Sequence, residues 1–209
     1  MILLAFFAFD REQYLTLAAS LIGATSLIFN AKGNPVGPLL MIVFSLLYGV
    51  VSFTFAYYGE MITYLGMTAP MALFALISWM RNPYNGNRAE VTVNRVGRRE
   101  IAAMLAAALA VTAAFFFILR AFHTANLLPS TISVTTSFLA VYLTFRRSPY
   151  HALAYAANDV ILIILWAMAT REDSSYVSVL VCFIMFFFND LYGFANWSRM
   201  QRRQQRAPA

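Results

Sequence analysis

Charge is scarce in this sequence. Asp, Glu, Lys and Arg make up 11% of its 209 residues, where an ordinary soluble domain carries about 25%, and so low a share points away from a soluble globule and toward a membrane protein. Cysteine is scarcer still. Cys182 is the only one, so an internal disulfide is excluded, and the thiol reads as a small apolar packing residue. No connection is long enough for a folded soluble domain. The HExxH zinc motif, the GxSxG elbow and the ATP-binding P-loop are also missing, which removes the usual marks of an intramembrane hydrolase and of direct ATP drive within this chain. The two histidines, His123 and His151, fall at opposite ends of the spans described next and would not share a metal. No cofactor or metal is implied.

What the chain does have is hydrophobic length: 61% of its residues are apolar or aromatic. Seven stretches approach the ~20 residues that a bilayer core requires. They are Tyr14–Asn30, Val36–Tyr57, Met61–Met80, Ile101–Ala121, Asn126–Phe145, Tyr150–Ala169 and Tyr176–Trp197. The predicted class is an all-α membrane protein of seven transmembrane helices. The opening "MILLAFFAF" lacks a preceding basic region and a clear cleavage site, so it reads as a retained interfacial segment, with a cleaved signal as the alternative.

An odd number of spans puts the two termini on opposite sides. One side then collects Lys32, Arg81, Arg88, Arg95, Arg98, Arg99, Arg146, Arg147, Arg199, Arg202, Arg203 and Arg206, and the other only Arg11, Arg120 and Arg171. Asp10, Glu12, Glu60, Glu172 and Asp173 fall on that second side. The positive-inside rule makes the crowded side cytoplasmic, with the N-terminus outside and the C-terminus inside. These basic residues read as a topology signal with attraction to anionic lipid, not as a nucleic-acid surface. The loop Arg81–Glu100 reads as a solvated turn, and residues 198–209 as a basic cytoplasmic tail.

The chain also repeats itself. Pro35 in "NAKGNP" and Pro149 in "TFRRSP" each open a span after a short basic turn, at the helix position where a missing N–H costs nothing. "ALFALISWMR" (Ala72–Arg81) aligns with "DLYGFANWSR" (Asp190–Arg199), both with Trp two residues before Arg. The offsets are 114 and 118 residues. Residues 14–80 and 126–197 therefore read as two three-helix units, joined by the alanine-rich linker helix 101–121. One intervening span makes the copies parallel. This 3+1+3 order is the architecture of sugar-exporting SWEET proteins.

Two spans carry polar groups that lipid would reject. "NDVILIILW" (Asn158–Trp166) and "NDLYGFANW" (Asn189–Trp197) both read Asn-Asp-x6-Trp. Seven residues turn a helix through about 700°, returning the side chain nearly to its starting face. Asp159 thus aligns with Trp166, Asp190 with Trp197, and Asn189 with Asn196, with Tyr192 between. An acidic side chain near the centre of a span costs about 2.5–3.5 kcal/mol on insertion scales, so an inward face is expected. Two readings stay open: hydrogen-bonded glue between helices, or a solute site. Aromatic faces suit a flat, especially cationic, ring; Asn suits a carboxamide or sugar hydroxyls. The candidate substrate-binding strip is Asn158, Asp159, Trp166, Asn189, Asp190, Tyr192 and Asn196. Alanine at Asn189 is expected to abolish binding without unfolding the protein. Pro70 should kink the third span, as a hinge or a static bend. Trp79 and Trp197 have an alternative reading as interfacial anchors.

"NPYNGNRAEVTVNR" (Asn82–Arg95), "NDVILIILW" and "FFNDLYGFANW" together resemble the PnuC family of bacterial vitamin transporters, over nearly the whole chain. The resemblance implies a SWEET-like seven-helix fold in the bacterial inner membrane and uptake of nicotinamide riboside, an NAD precursor, by facilitated diffusion with alternating access. It also implies trapping by a cytoplasmic riboside kinase, association as homotrimers, and a ligand site at Asn158, Asp159, Trp166, Asn189, Asp190 and Tyr192, with Tyr48, Ser45 and Met71 at similar depth in the first repeat. Relatives that carry thiamine, riboflavin or deoxynucleosides leave the solute open. Proton-coupled transport through Asp159 or Asp190 is the nearest rival; a receptor without flux and an intramembrane enzyme are the others.

Overall fold

A backbone in hydrocarbon must satisfy its own N–H and C=O groups, and a helix does so locally. The computed structural model describes residues 14–54, 58–124, 126–172 and 176–206; the opening "MILLAFFAF" lies outside them, as do Asp10, Arg11, Glu12 and Asp173. Among the described residues, seven helices are long and apolar enough to cross a membrane. They are α1 (Tyr14–Ala31), α2 (Val36–Thr54), α3 (Tyr58–Met80), α4 (Arg98–Ala121), α5 (Leu127–Phe145), α6 (Tyr150–Glu172) and α7 (Val177–Arg206). A short hairpin, β1 (Pro83–Tyr84) and β2 (Asn87–Val91), follows α3. Six helices close a ring in the order α1–α2–α3–α5–α6–α7 and back to α1. α4 lies outside it against α5, with Leu105, Leu109 and Phe117 turned outward.

Of the boundaries that differ from the sequence reading, two bear on the site and on the basic end. α3 begins at Tyr58 rather than Met61, which brings Glu60 inside the span. α7 continues to Arg206, so residues 198–206 are helix rather than a separate tail. Inside α3, Tyr64–Thr68 form a π-helical turn directly before the α-helical piece Ala69–Met80. Pro70 has no N–H to give the preceding turn, and the wider turn takes up the mismatch where a kink was predicted.

The two turns that precede Pro35 and Pro149 are built alike. Gly33 (φ 67°) and Arg147 (φ 56°) both take left-handed backbone. Gly33 N donates to Asn30 O at 3.0 Å, and Arg147 N to Thr144 O at 2.9 Å; Asn34 N and Ser148 N reach back to Phe29 O and Leu143 O, each at 3.0 Å.

The last carbonyls of α1 and α5, which have no partner within their own helices, are taken by side chains from α7 and α3. Asn196 Nδ2 donates to Ala31 O and Trp197 Nε1 to Asn30 O, both at 2.7 Å. Ser78 Oγ donates to Phe145 O at 3.0 Å and Trp79 Nε1 to Thr144 O at 2.8 Å. Both indoles are fully buried (0% exposed), with ring centres 5.4 Å apart. The interfacial-anchor reading of Trp79 and Trp197 is therefore corrected: a belt tryptophan would face the headgroups.

Arg81–Glu100 is not simply a solvated turn either. Asn85 and Gly86, at φ 48° and 77°, make the tight two-residue reversal that Asn-Gly favours. The strand beyond it runs beneath the bundle. Val91 N donates to Gly33 O at 3.0 Å and Asn94 N to Arg147 O at 3.0 Å, so it binds both turns. Gln204 of α7 accepts from Val93 N at 2.8 Å and donates to Val91 O at 3.0 Å. Val91 is fully buried, packed with Trp79, Trp197 and Met200. This cluster closes the ring at its basic end.

α1 and α2 cross closely at Gly37, whose carbonyl accepts from Ser26 Oγ at 2.8 Å. A Cβ at Gly37 would stand 2.6 Å from the backbone N of Asn30. Gly37→Ala should cost about 1–3 kcal/mol through overpacking, seen as a lower thermal midpoint in detergent with no change in the helical circular dichroism of the folded state.

Candidate functional site

Each of the six ring helices sends side chains into one central cavity of about 470 Å³. α6 supplies Tyr155, Asn158 and Asp159, and α7 supplies Phe183, Phe186 and Asp190. Spacings of three and four residues put these groups on one helix face. α1 adds Leu27, α2 Met41 and Phe44, α3 Tyr64 and Thr68, and α5 Ser137 and Val141; α4 adds none.

The polar groups are arranged rather than scattered. Asn158 Oδ1 accepts from Ser133 Oγ and Thr136 Oγ1, both at 2.9 Å, which leaves its amide NH2 as the group offered to the cavity. Asp159 and Asp190 are both buried and meet carboxyl to carboxyl across the α6–α7 interface. Asp159 Oδ2 has no hydrogen-bond partner among the described residues. Among the described residues, no Lys or Arg lines the cavity. It therefore offers two carboxyls, one amide donor and aromatic walls: acceptors for hydroxyl groups and compensation for a positive charge.

A second cleft of about 420 Å³ opens toward the end of the bundle with few basic residues. Glu60, Thr63, Ser130 and Ser133 line it, and it shares Tyr64 and Ser137 with the central cavity. Glu60 Oε2 accepts from Tyr48 Oη at 2.8 Å. On the other side, a space of about 230 Å³ lined by Met71, Thr144 and Tyr155 leads toward the tryptophan pair.

Of the residues expected at the site, Asn158, Asp159 and Asp190 come together at the central cavity. Tyr48 stands one layer away, bound to Glu60. Trp166 is buried two turns along α6, ring to ring with Tyr176 at 5.5 Å, and does not line the cavity. Ser45 is buried and donates back to Met41 O at 2.8 Å. Three placements correct the expectation. Tyr192 is 55% exposed on the outer surface; it lies about 200° around the helix from Asp190. Asn196 ties α7 to the end of α1. Asn189 is half-buried and off the cavity wall, its Nδ2 without a hydrogen-bond partner, so the expected loss of binding on its replacement passes to its neighbour Asp190. The sequence reading missed Tyr155, Phe44, Tyr64, Phe183 and Phe186, although Tyr155 and Phe186 stand four residues before Asp159 and Asp190, on the same faces. It also missed Glu60.

Comparison with known proteins points one way. A family model described as nicotinamide mononucleotide transporter matches residues 13–199. The nicotinamide riboside transporter PnuC of Neisseria mucosa is 26% identical over 203 residues, covering 94% of this chain and 76% of that protein. The crystal structure of the vitamin B3 transporter PnuC superposes with a TM-score of 0.83 at 24% identity, covering 97% of this chain and 88% of that one.

Proposed function

The chain belongs to the nicotinamide mononucleotide transporter family, and from that premise we propose that it carries nicotinamide riboside across the membrane. The observation that carries this reading is the central cavity, with its facing carboxyls, its amide donor and its aromatic walls. An N-ribosylpyridinium matches it group by group: a cationic flat ring for the carboxyls and aromatic faces, a carboxamide oxygen for the Asn158 amide, and ribose hydroxyls for Asp159 and Asp190. The curated relative named for the riboside supports it further. The mononucleotide fits less well. A phosphate is normally met by Arg, Lys or a helix N-terminus, and among the described residues neither the central cavity nor the outer cleft is lined by a basic side chain.

The scheme extends the expectations above. The two three-helix units rock as a 3+1+3 pair around the cavity, supported by the matching turns at Gly33 and Arg147 and the matched Trp79 and Trp197 ties. The basic end faces the cytoplasm, which the clustering of cationic side chains there supports. A cytoplasmic kinase would trap the riboside by adding charge. A homotrimer would use the outward face of α4, and the mass of the detergent-solubilised protein reads that directly.

Thermal stabilisation of the purified protein tests the solute. Nicotinamide riboside is expected to raise the midpoint, while nicotinamide mononucleotide, thiamine and riboflavin at equal concentration leave it in place. Stabilisation by the mononucleotide instead would overturn the assignment. The contact between Asp159 and Asp190 favours one second reading, proton-coupled uptake. Accumulation above equilibrium in vesicles under an imposed pH gradient, and not without one, would establish it.

A further inference from the structure

The outer cleft has a chemistry of its own that the central site does not need. Glu60 sits within α3, near its start, and Tyr48 Oη gives its carboxyl the one hydrogen bond it accepts among the described residues, on Oε2. Among the described residues, no Lys, Arg or His lines the cleft. A carboxyl inside a membrane span without a counter-charge is a functional feature by default. Around it stand the hydroxyls of Thr63, Ser130 and Ser133 and the ring of Tyr64, whose centre lies 4.6 Å from that of Tyr48.

The cleft also lies on a path. Tyr64 and Ser137 belong to both its wall and that of the central cavity, and Ser133, in the cleft, donates to Asn158, which lines the cavity. Ser130, Ser133 and Ser137 share one face of α5, a polar strip leading from one space to the other. Tyr64 begins the π-helical turn of α3, a geometry that recurs at functional sites. A solute arriving from the sparsely charged end meets Glu60 before Tyr64, and Tyr64 before the paired aspartates.

We propose that the outer cleft is a separate docking site for a positively charged aromatic ring of the N-alkylpyridinium class, in which Glu60 selects cations over neutral solutes of the same shape before they pass Tyr64. The proposal rests on the riboside reading for the identity of the transported solute, but not for the chemistry of the cleft. Its elements are a carboxyl held by one tyrosine and a second tyrosine ring beside it; the hydroxyls of Thr63 and Ser133 nearby donate to Gly59 O at 2.8 Å and to Asn158 Oδ1 at 2.9 Å. The carboxyl and the ring recognise charge and flatness and leave the sugar to the carboxyls within.

The test compares two solutes of nearly equal shape, nicotinamide riboside and its uncharged dihydro form, as initial uptake into proteoliposomes of the full chain at low solute concentration. Glu60→Gln keeps the shape and removes the charge. It should slow uptake of the cation roughly tenfold or more, the scale of one close charge interaction near a protein surface, and leave the neutral form unchanged. Glu60→Asp, which withdraws the carboxyl by one methylene, should fall between and supplies the same ratio if the glutamine variant does not fold. An unchanged cation-to-neutral ratio overturns the proposal. A second arm uses 1-methylnicotinamide, a cationic ring without ribose, as the probe in thermal stabilisation. It should stabilise the original protein more than the Glu60→Gln variant, in which the central cavity is intact. If the original protein moves neither riboside yet this difference persists, the riboside reading falls and the cleft proposal stands. If 1-methylnicotinamide acts equally on both proteins, the cleft proposal falls.

Discussion

Asp190→Ala is expected to abolish the stabilisation of the purified protein by nicotinamide riboside while leaving its melting without ligand in place. Asp190 lines the central cavity and faces Asp159 across the α6–α7 interface. A hydrogen bond from a solute hydroxyl to a charged group is worth about 1.5–3 kcal/mol, and loss of the upper end of that range weakens binding roughly a hundredfold. The protein without ligand should tolerate the change, because alanine removes one of two carboxyls pressed together in a span, and crowded like groups favour separation. Asp190→Asn separates the contributions. It keeps the shape and a hydrogen-bonding oxygen but not the capacity for charge, so it should retain part of the affinity if hydroxyl recognition dominates and little if charge compensation does. Titration of the thermal midpoint against riboside concentration reads all three proteins. Undiminished affinity in Asp190→Ala would remove the central cavity from consideration as the riboside site.

The spans were legible because hydrocarbon enforces length: each predicted stretch coincides with a helix over nearly all of its described residues, and the twelve basic residues assigned to one side gather where the hairpin, the two turns and the end of α7 meet. Asp159, Asp190 and Asn158 were legible for the same reason, since burial in a span makes polar groups expensive. Failures came where rotation or tertiary pairing decides. Tyr192 sits two residues from Asp190 and therefore on the opposite face, a fact the 100° rotation per residue contained. Glu60 was read as loop because α3 was started at Met61; the structure adds most of one turn and places the carboxyl at a cleft. The Asn-Gly pair at 85–86 was a hairpin signal that charge counting masked, and Val91 and Val93 around Thr92 a strand signal beside it. Local pattern does not say that Asn196 and Trp197 would spend their N–H groups on the end of α1, because the acceptors lie 165 and 167 residues away. The 114- and 118-residue offsets nevertheless contained the answer in relative form. They pair Asn30 with Thr144, Ala31 with Phe145, Ser78 with Asn196 and Trp79 with Trp197, and these are the partners that meet.

Trp197→Ala is expected to produce the largest loss of stability of any single replacement considered. The indole is fully buried, stacks 5.4 Å from Trp79 and 4.7 Å from His151, and binds Asn30 O at 2.7 Å. Truncating a buried tryptophan costs about 3–5 kcal/mol through lost packing and the cavity left behind. Asn30 O keeps its bond from Gly33 N, so the lost indole hydrogen bond adds only about 0.5–1.5 kcal/mol. Trp197→Phe separates the two: it keeps a ring against Trp79 but has no N–H, so its deficit should approach that of the one lost hydrogen bond. Because the matching tie from Trp79 to Thr144 joins α3 to α5 at the same level, Trp79→Phe should show a deficit of similar size. If the two residues brace one closed end, the double variant should lose less than the sum, since the second replacement acts on an end already loosened. Denaturant or thermal unfolding of the four proteins in one detergent measures this coupling. Strict additivity would mean that the two ties act independently and that the basic end is not a single clamp.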